Sequence, residues 1–187
     1  MRKIYFVIAF VCLFSNSLFA QNMYLKAGTL TEKGSLVDGF RDYVELSSVQ
    51  YGVSAESSSV KGTGPTVGKA NFSEITITKN VDILSNALLK NISASTAIPE
   101  VEIVTTVRTG KGLYAIGHKI ELRNAYVTNV SQAAADCNGG CAVAETFKIV
   151  YRAIRITTYS QDQKTGETTA NKNPYVYNTA TTKMEFE

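Results

Sequence analysis

Tryptophan is absent from the 187 residues; histidine occurs once, and proline and cysteine three times each. With one imidazole, His118, any Ser-His-Asp or Cys-His system would have to be built on that residue. No sign of charge predominates, because 19 Lys and Arg stand against 16 Asp and Glu. Arg2 and Lys3 lie in the first twenty residues, which hold no acid, so 17 basic residues face 16 acidic ones beyond that point. A balance this close to neutral has no electrostatic footprint for nucleic acid. Apolar runs are short; none approaches the roughly 20 residues of a bilayer-spanning helix. What is present is 44% apolar, 10% aromatic and 19% charged residues, an ordinary globular composition. It excludes collagen, coiled coil and general disorder. Abundant Thr, Ser, Val and Tyr tilt the expectation towards strands.

The first segment reads as a targeting sequence rather than part of the fold. Arg2 and Lys3 precede an apolar run from Ile4 to Phe14, then Ser15-Asn16-Ser17 and Leu18-Phe19-Ala20 before Gln21. This is the charged start, apolar middle and small cut-site residue of a secretory signal peptide. Cleavage is expected after Ala20, with an uncleaved anchor as the rival. Residues 21–187 would then form one domain that keeps two cysteines, since Cys12 lies inside the apolar run. These are Cys137 and Cys141, in Cys137-Asn138-Gly139-Gly140-Cys141. Export and a Gly-rich loop favour a disulfide across a hairpin tip, adding roughly 2 kcal/mol by chain entropy. A metal site is the runner-up, but zinc ordinarily takes four ligands and only His118 remains to help.

Along the rest of the chain, Met23 to Ala27 is a short strand candidate. Asp42 to Ala55 alternates and changes face near Ser47-Ser48, as at a bulge. Glu56 to Gly68 is rich in Ser and Gly and reads as an exposed loop. Lys69 to Lys79 reads as a strand. Leu84, Leu88 and Ile92 then fall at helical spacing, with Ser85 the expected N-cap and an end near Ser93. A helix this short must bury its Leu face on a sheet. Val101, Ile103 and Thr105 oppose Glu102 and Val104. Leu113 to Val130 is a strand pair or one bent strand, and Val143 to Tyr159 alternates cleanly until Ile154 changes parity. Gln161 to Asn173 is polar, and Tyr175, Tyr177, Met184 and Phe186 suit a final edge strand. Many strands and one short helix indicate a β-barrel or tight sandwich.

Chemistry-bearing patterns are sparse. His118 shares a strand with Lys119, Glu121 and Arg123 and reads as a solvated position. Gly64-Pro65-Thr66-Val67-Gly68-Lys69 resembles a phosphate loop but is one residue short, and Ala70 stands where Ser or Thr would hold magnesium. No spacing forces two carboxylates together. Lys148, Arg152 and Arg155 form a basic stripe suited to sheet surface or subunit contact. The expectation is no catalytic, cofactor-binding or metal site.

Several segments, in order, resemble the haemolysin-coregulated proteins (Hcp), the tube proteins of bacterial type VI secretion. They are Met23-Tyr24-Leu25-Lys26, Asp42 to Val53, and Lys69 to Lys79 followed by Val81-Asp82, Ser85 and Leu88-Leu89. Ile120 to Ser131 and Glu145 to Tyr159, then Gln161 and Gly166, complete the series over about residues 22–167. The resemblance implies a mainly β fold: a β-barrel of two packed antiparallel sheets with one short flanking helix. It implies no enzyme, and a homo-hexameric ring with an open lumen, stacking into a tube beside spike, sheath or effector proteins. It also assigns Ser57-Ser58-Ser59-Val60-Lys61-Gly62-Thr63-Gly64-Pro65-Thr66-Val67 as the extended loop that reaches a neighbouring subunit. The signal-like start, the Cys137–Cys141 loop and the tail from Thr168 lie outside the family pattern. They favour a periplasmic or secreted bacterial location without stable membrane insertion. The alternative reading is an exported Hcp-fold binding module acting outside any secretion tube.

Overall fold

The computed structural model describes residues 22–31, 39–60, 64–109, 113–134, 143–162 and 164–187. Among the described residues, eleven strands and one α-helix follow in chain order, with a short 3-10 turn at Gly28–Thr31. They are β1 (Met23–Ala27), β2 (Val44–Leu46), β3 (Ser48–Gln50), β4 (Val53–Val60), β5 (Gly64–Phe72), β6 (Ile75–Asn80), α1 (Ser85–Ser93), β7 (Ile98–Arg108), β8 (Tyr114–Ala133), β9 (Ala144–Gln161), β10 (Thr168–Ala170) and β11 (Tyr175–Asn178). The main sheet runs β2-β1-β7-β8-β9-β6-β3, every pairing antiparallel, with β10 and β11 also on β9. Its two ends, β2 and β3, are separated in sequence by Ser47 alone, whose amide donates to the Thr78 carbonyl at 2.8 Å. The change of face expected near Ser47-Ser48 is therefore the corner at which one chain segment passes from the first edge to the last. It curls the sheet into a barrel.

Alternation carries the core. Leu25, Ile75, Ile77, Val101, Ile103, Ile120, Leu122, Phe147 and Ile149 all point inward and are buried. Val104, expected on the polar side of β7, is also buried. On the barrel's outer side it packs with Tyr24 and Phe40, whose rings stack at 4.7 Å. The segment around Phe40 covers that outer face, which strand alternation alone does not reveal. Leu113–Val130 resolves as the bent-strand alternative: β8 is one strand of 20 residues. Asn124, at φ 46°, lies where the buried positions shift from Ile120 and Leu122 to Ala125 and Val127. On β9 the expected change of parity falls at the paired level, between Ala153 and Ile154, both buried. Tyr175 and Tyr177 form the edge strand, whereas Met184 is largely exposed and outside any strand.

The helix buries Leu84 and Leu88 completely and leaves Leu89 at the surface. Ser85 does not cap it: position N-cap is Leu84, and no side chain caps there. The Ser85 hydroxyl is drawn instead into a buried polar network. Lys79 on β6 and Glu145 on β9 are register partners, both side chains 0% exposed, with Nζ 3.1 Å from Oε1. The ammonium also donates to Asp82 at 2.7 Å and to Ser85 at 3.0 Å, while Ser85 donates to Glu145 at 3.1 Å. Gln132 Nε2 satisfies the second Glu145 oxygen at 2.7 Å. A desolvated ammonium needs acceptors more than a helix end needs a cap. Glu145→Ala would remove the fully buried one of the ammonium's two carboxylate partners, leaving it Asp82 alone, so it should lower unfolding stability by about 1–3 kcal/mol. Urea midpoints measure this, and a loss of only a few tenths would contradict the account.

Candidate functional site

Among the described residues, no group of three or more His, Cys, Asp or Glu side chains comes together in a metal-binding arrangement. His118 lies on β8 opposite Thr105 and Thr158. It is half-buried rather than solvated, and burial holds its pKa below the usual 6.5. Two carboxylates do meet, although no sequence spacing announces it. Glu102 and Glu121 face each other across β7 and β8. Lys119 lies 2.7 Å from Glu102 and 3.5 Å from Glu121, Arg155 lies 3.7 Å from Glu121, and the Tyr43 hydroxyl donates to Glu102. Burial lowers the Lys119 pKa, but the hydrogen bond it donates to Glu102 and the two carboxylate charges outweigh it and raise the pKa overall. Desolvation, then the Glu102 hydrogen bond, pushes the Tyr43 phenol well above its usual range. Each of the two carboxylates is bound by a cation or phenol, so the group forms a charge ladder across the sheet.

The feature that stands apart from the barrel is a two-stranded arm. β4 and β5 pair only with each other, in a sheet separate from the main one. The expected loop from Glu56 to Gly68 is thus largely strand. Ser57 pairs with Val67, Ser58 with Thr66, Ser59 with Pro65 and Val60 with Gly64; Lys61, Gly62 and Thr63 lie outside the described residues. Small polar side chains give no apolar alternation, so the strand period is invisible there. The register slips between Ala55 and Ser57. Side chains from Ser54 to Ser58 and from Thr66 to Asn71 are exposed, Val67 at 72%.

The arm continues the β3–β6 pair. Ser48, Val49 and Gln50 pair with Thr78, Ile77 and Thr76, and beyond the break Val53 pairs with Phe72. Across the break, the Ser73 amide donates to the Gly52 carbonyl at 2.9 Å, and the Gly52 amide donates to the Ser73 hydroxyl at 2.7 Å. At this base a groove of about 330 Å³ is lined by Gln50, Tyr51, Gly52, Ser73, Glu74, Thr76 and Lys148. Of the basic stripe, Lys148 is held 3.5 Å from Glu74. Arg152 lines a second groove of about 490 Å³ with Asn124, Tyr126, Val150, Tyr151 and Ala180. Burial raises the Tyr151 phenol to about 12. Cys137, Cys141 and the signal-like residues 1–20 lie outside the described residues. No described helix is long and apolar enough to cross a membrane.

Comparison with known proteins places this geometry. The sequence profile of the family described as "Type VI secretion system effector, Hcp" matches residues 24–158. No curated protein matches. Among solved structures, "Structure of a type six secretion system protein" is 22% identical, with TM-score 0.78, covering 88% of this chain and 99% of that one. Hcp1 from Salmonella typhimurium is 19% identical, with TM-score 0.67, covering 88% and 98%. The tube-terminating cap of the anti-feeding prophage is 17% identical, with TM-score 0.50, covering 73% and 87%. At these identities the likeness is one of fold.

The half-buried imidazole has a pH consequence. Its folded pKa is depressed, so the unfolded chain binds the proton more readily. Stability is therefore fully present above the unfolded value of 6.5 and falls as pH drops through it towards the folded pKa. His118→Gln should flatten the unfolding midpoint between pH 7 and 5; an unchanged slope would show that carboxylates alone set it.

Proposed function

The chain belongs to the Hcp family of type VI secretion system proteins, and from that premise we propose that it is a non-enzymatic tube protein. Its copies close into a homo-hexameric ring with an open lumen, stack, and carry or accompany exported effectors. The observation that carries this reading is the β4–β5 arm. A lone two-stranded ribbon is marginal in water, and its open edges invite another chain. Both are remedied when the arm lies against a second copy. Head-to-tail contacts of this kind generate closed rings with faces free to stack. The fold shared with Hcp1 and with a tube-terminating cap supports the same direction. Ser57 to Val67 is thus the subunit-contact segment. Removing it should leave a folded monomer by native mass spectrometry, whereas persistence of the ring would overturn the assignment.

A second reading has its own support. The sequence from Met1 to Ala20 has the form of an export signal, which favours a periplasmic or secreted protein, including an exported binding module outside any tube. On either reading Cys137 and Cys141 pair after export. The protein recovered from a bacterial envelope or medium should begin at Gln21 and take up no thiol label until reduced. An N-terminus at Met1, or two free thiols, would contradict export and pairing respectively. A monomer in solution favours the module over the ring.

A further inference from the structure

The family match ends at residue 158, and the chain beyond it turns back onto the barrel. β11 pairs with β9 from Tyr175 opposite Ile156 to Asn178 opposite Ala153. It occupies the same edge of β9 that β6 takes from Ala144 to Ile149. Asn178 and Tyr177 are buried. The Thr179 amide donates to the Arg152 carbonyl at 2.8 Å, and its hydroxyl to the Tyr151 carbonyl at 2.9 Å. Farther on, Phe186 lies 4.1 Å from the Arg155 guanidinium and 5.1 Å from that of Arg123. The tail is therefore seated at several points, and one of them lies where the arm leaves the barrel. Phe72, the last residue of the arm, stacks on Tyr177 with ring centroids 4.6 Å apart and 26° between planes. Tyr175 flanks the same ring at 6.3 Å.

We propose that the C-terminal strand is a clasp that fixes the direction of the β4–β5 arm through the Phe72–Tyr177 stack. Between Gln50 and Val53, and between Phe72 and Ile75, each chain leaves regular pairing. Two backbone and hydroxyl contacts at Gly52 and Ser73 form a hinge rather than a continuous ladder. Arm side chains from Ser54 to Ser58 and from Thr66 to Asn71 are exposed, so they contribute little to holding the ribbon in place. A stacked ring pair at the hinge supplies area and orientation together. The consequence for ring geometry rests on the arm being the assembly element; the clasp itself does not.

Hydrogen exchange on the full chain tests the clasp directly. Tyr177→Ala should speed exchange of arm amides 54–58 and 66–71 by about tenfold, leaving amides 120–122 of the core unchanged. Tyr177→Phe retains the ring and should behave as wild type. Where Tyr177→Ala fails to fold, Phe72→Ala removes the other ring from a half-buried position and should loosen the arm alike. Unchanged arm exchange in both alanine variants overturns the proposal. So does equal acceleration at residues 120–122, which would make the tail general core packing. A wild-type monomer by native mass spectrometry would overturn the ring reading and not the clasp.

Discussion

Closure of the sheet is the constraint on which the other features depend. β2 and β3 are its opposite ends, yet only Ser47 separates them, so the first edge must meet the last. Bringing these two short edges together leaves less open edge to template further pairing. It also sets where the arm begins. Once β3 has paired with β6 over three residues, the intervening chain must leave the barrel, and it does so as a continuation of that same pair. Placing β6 next to β9 then brings Lys79 opposite Glu145, and with it the turn that starts the helix.

The buried Lys79–Glu145 pair shows how such a site is tolerated. Two fully buried charges are costly unless their remaining hydrogen-bonding capacity is met. Here Asp82, Ser85, the Asn80 carbonyl and Gln132 meet it. The network links two strands, the loop after β6, the first residue of the helix and the far end of β8. It acts as a register lock, since a slip of one residue on β6 would turn Lys79 outward and bury Asn80 or Thr78 against Glu145.

On the proposed reading, function is carried by surfaces instead of a pocket. The two grooves at the arm base and beside Arg152 are shallow and lined by residues that also serve the fold. The charged groups on the outer sheet satisfy one another across strands, from Lys119 with Glu102 to Arg123 with Glu100 at 3.0 Å. Among the described residues, the arm stands apart as a two-stranded ribbon with open edges. That is the physical argument for proposing self-contact as the role of this family member.

Sequence alone determined much of this molecule: strand after strand from period-two alternation, a single helix from Leu84, Leu88 and Ile92, the change of face at Ser47-Ser48, and a family resemblance resting on the order of those pieces. Local patterns carry such information because each reflects one face buried against one core. The tertiary structure alone decided the rest. It turned Glu56–Gly68 from loop into arm, buried Val104 under Phe40, and took Ser85 from the helix end into the Lys79 network. It also set Glu102 against Glu121 and Tyr177 against Phe72. Each of these depends on which strands become neighbours and in what register. That pairing is a long-range property, absent from any window of the chain short enough to read.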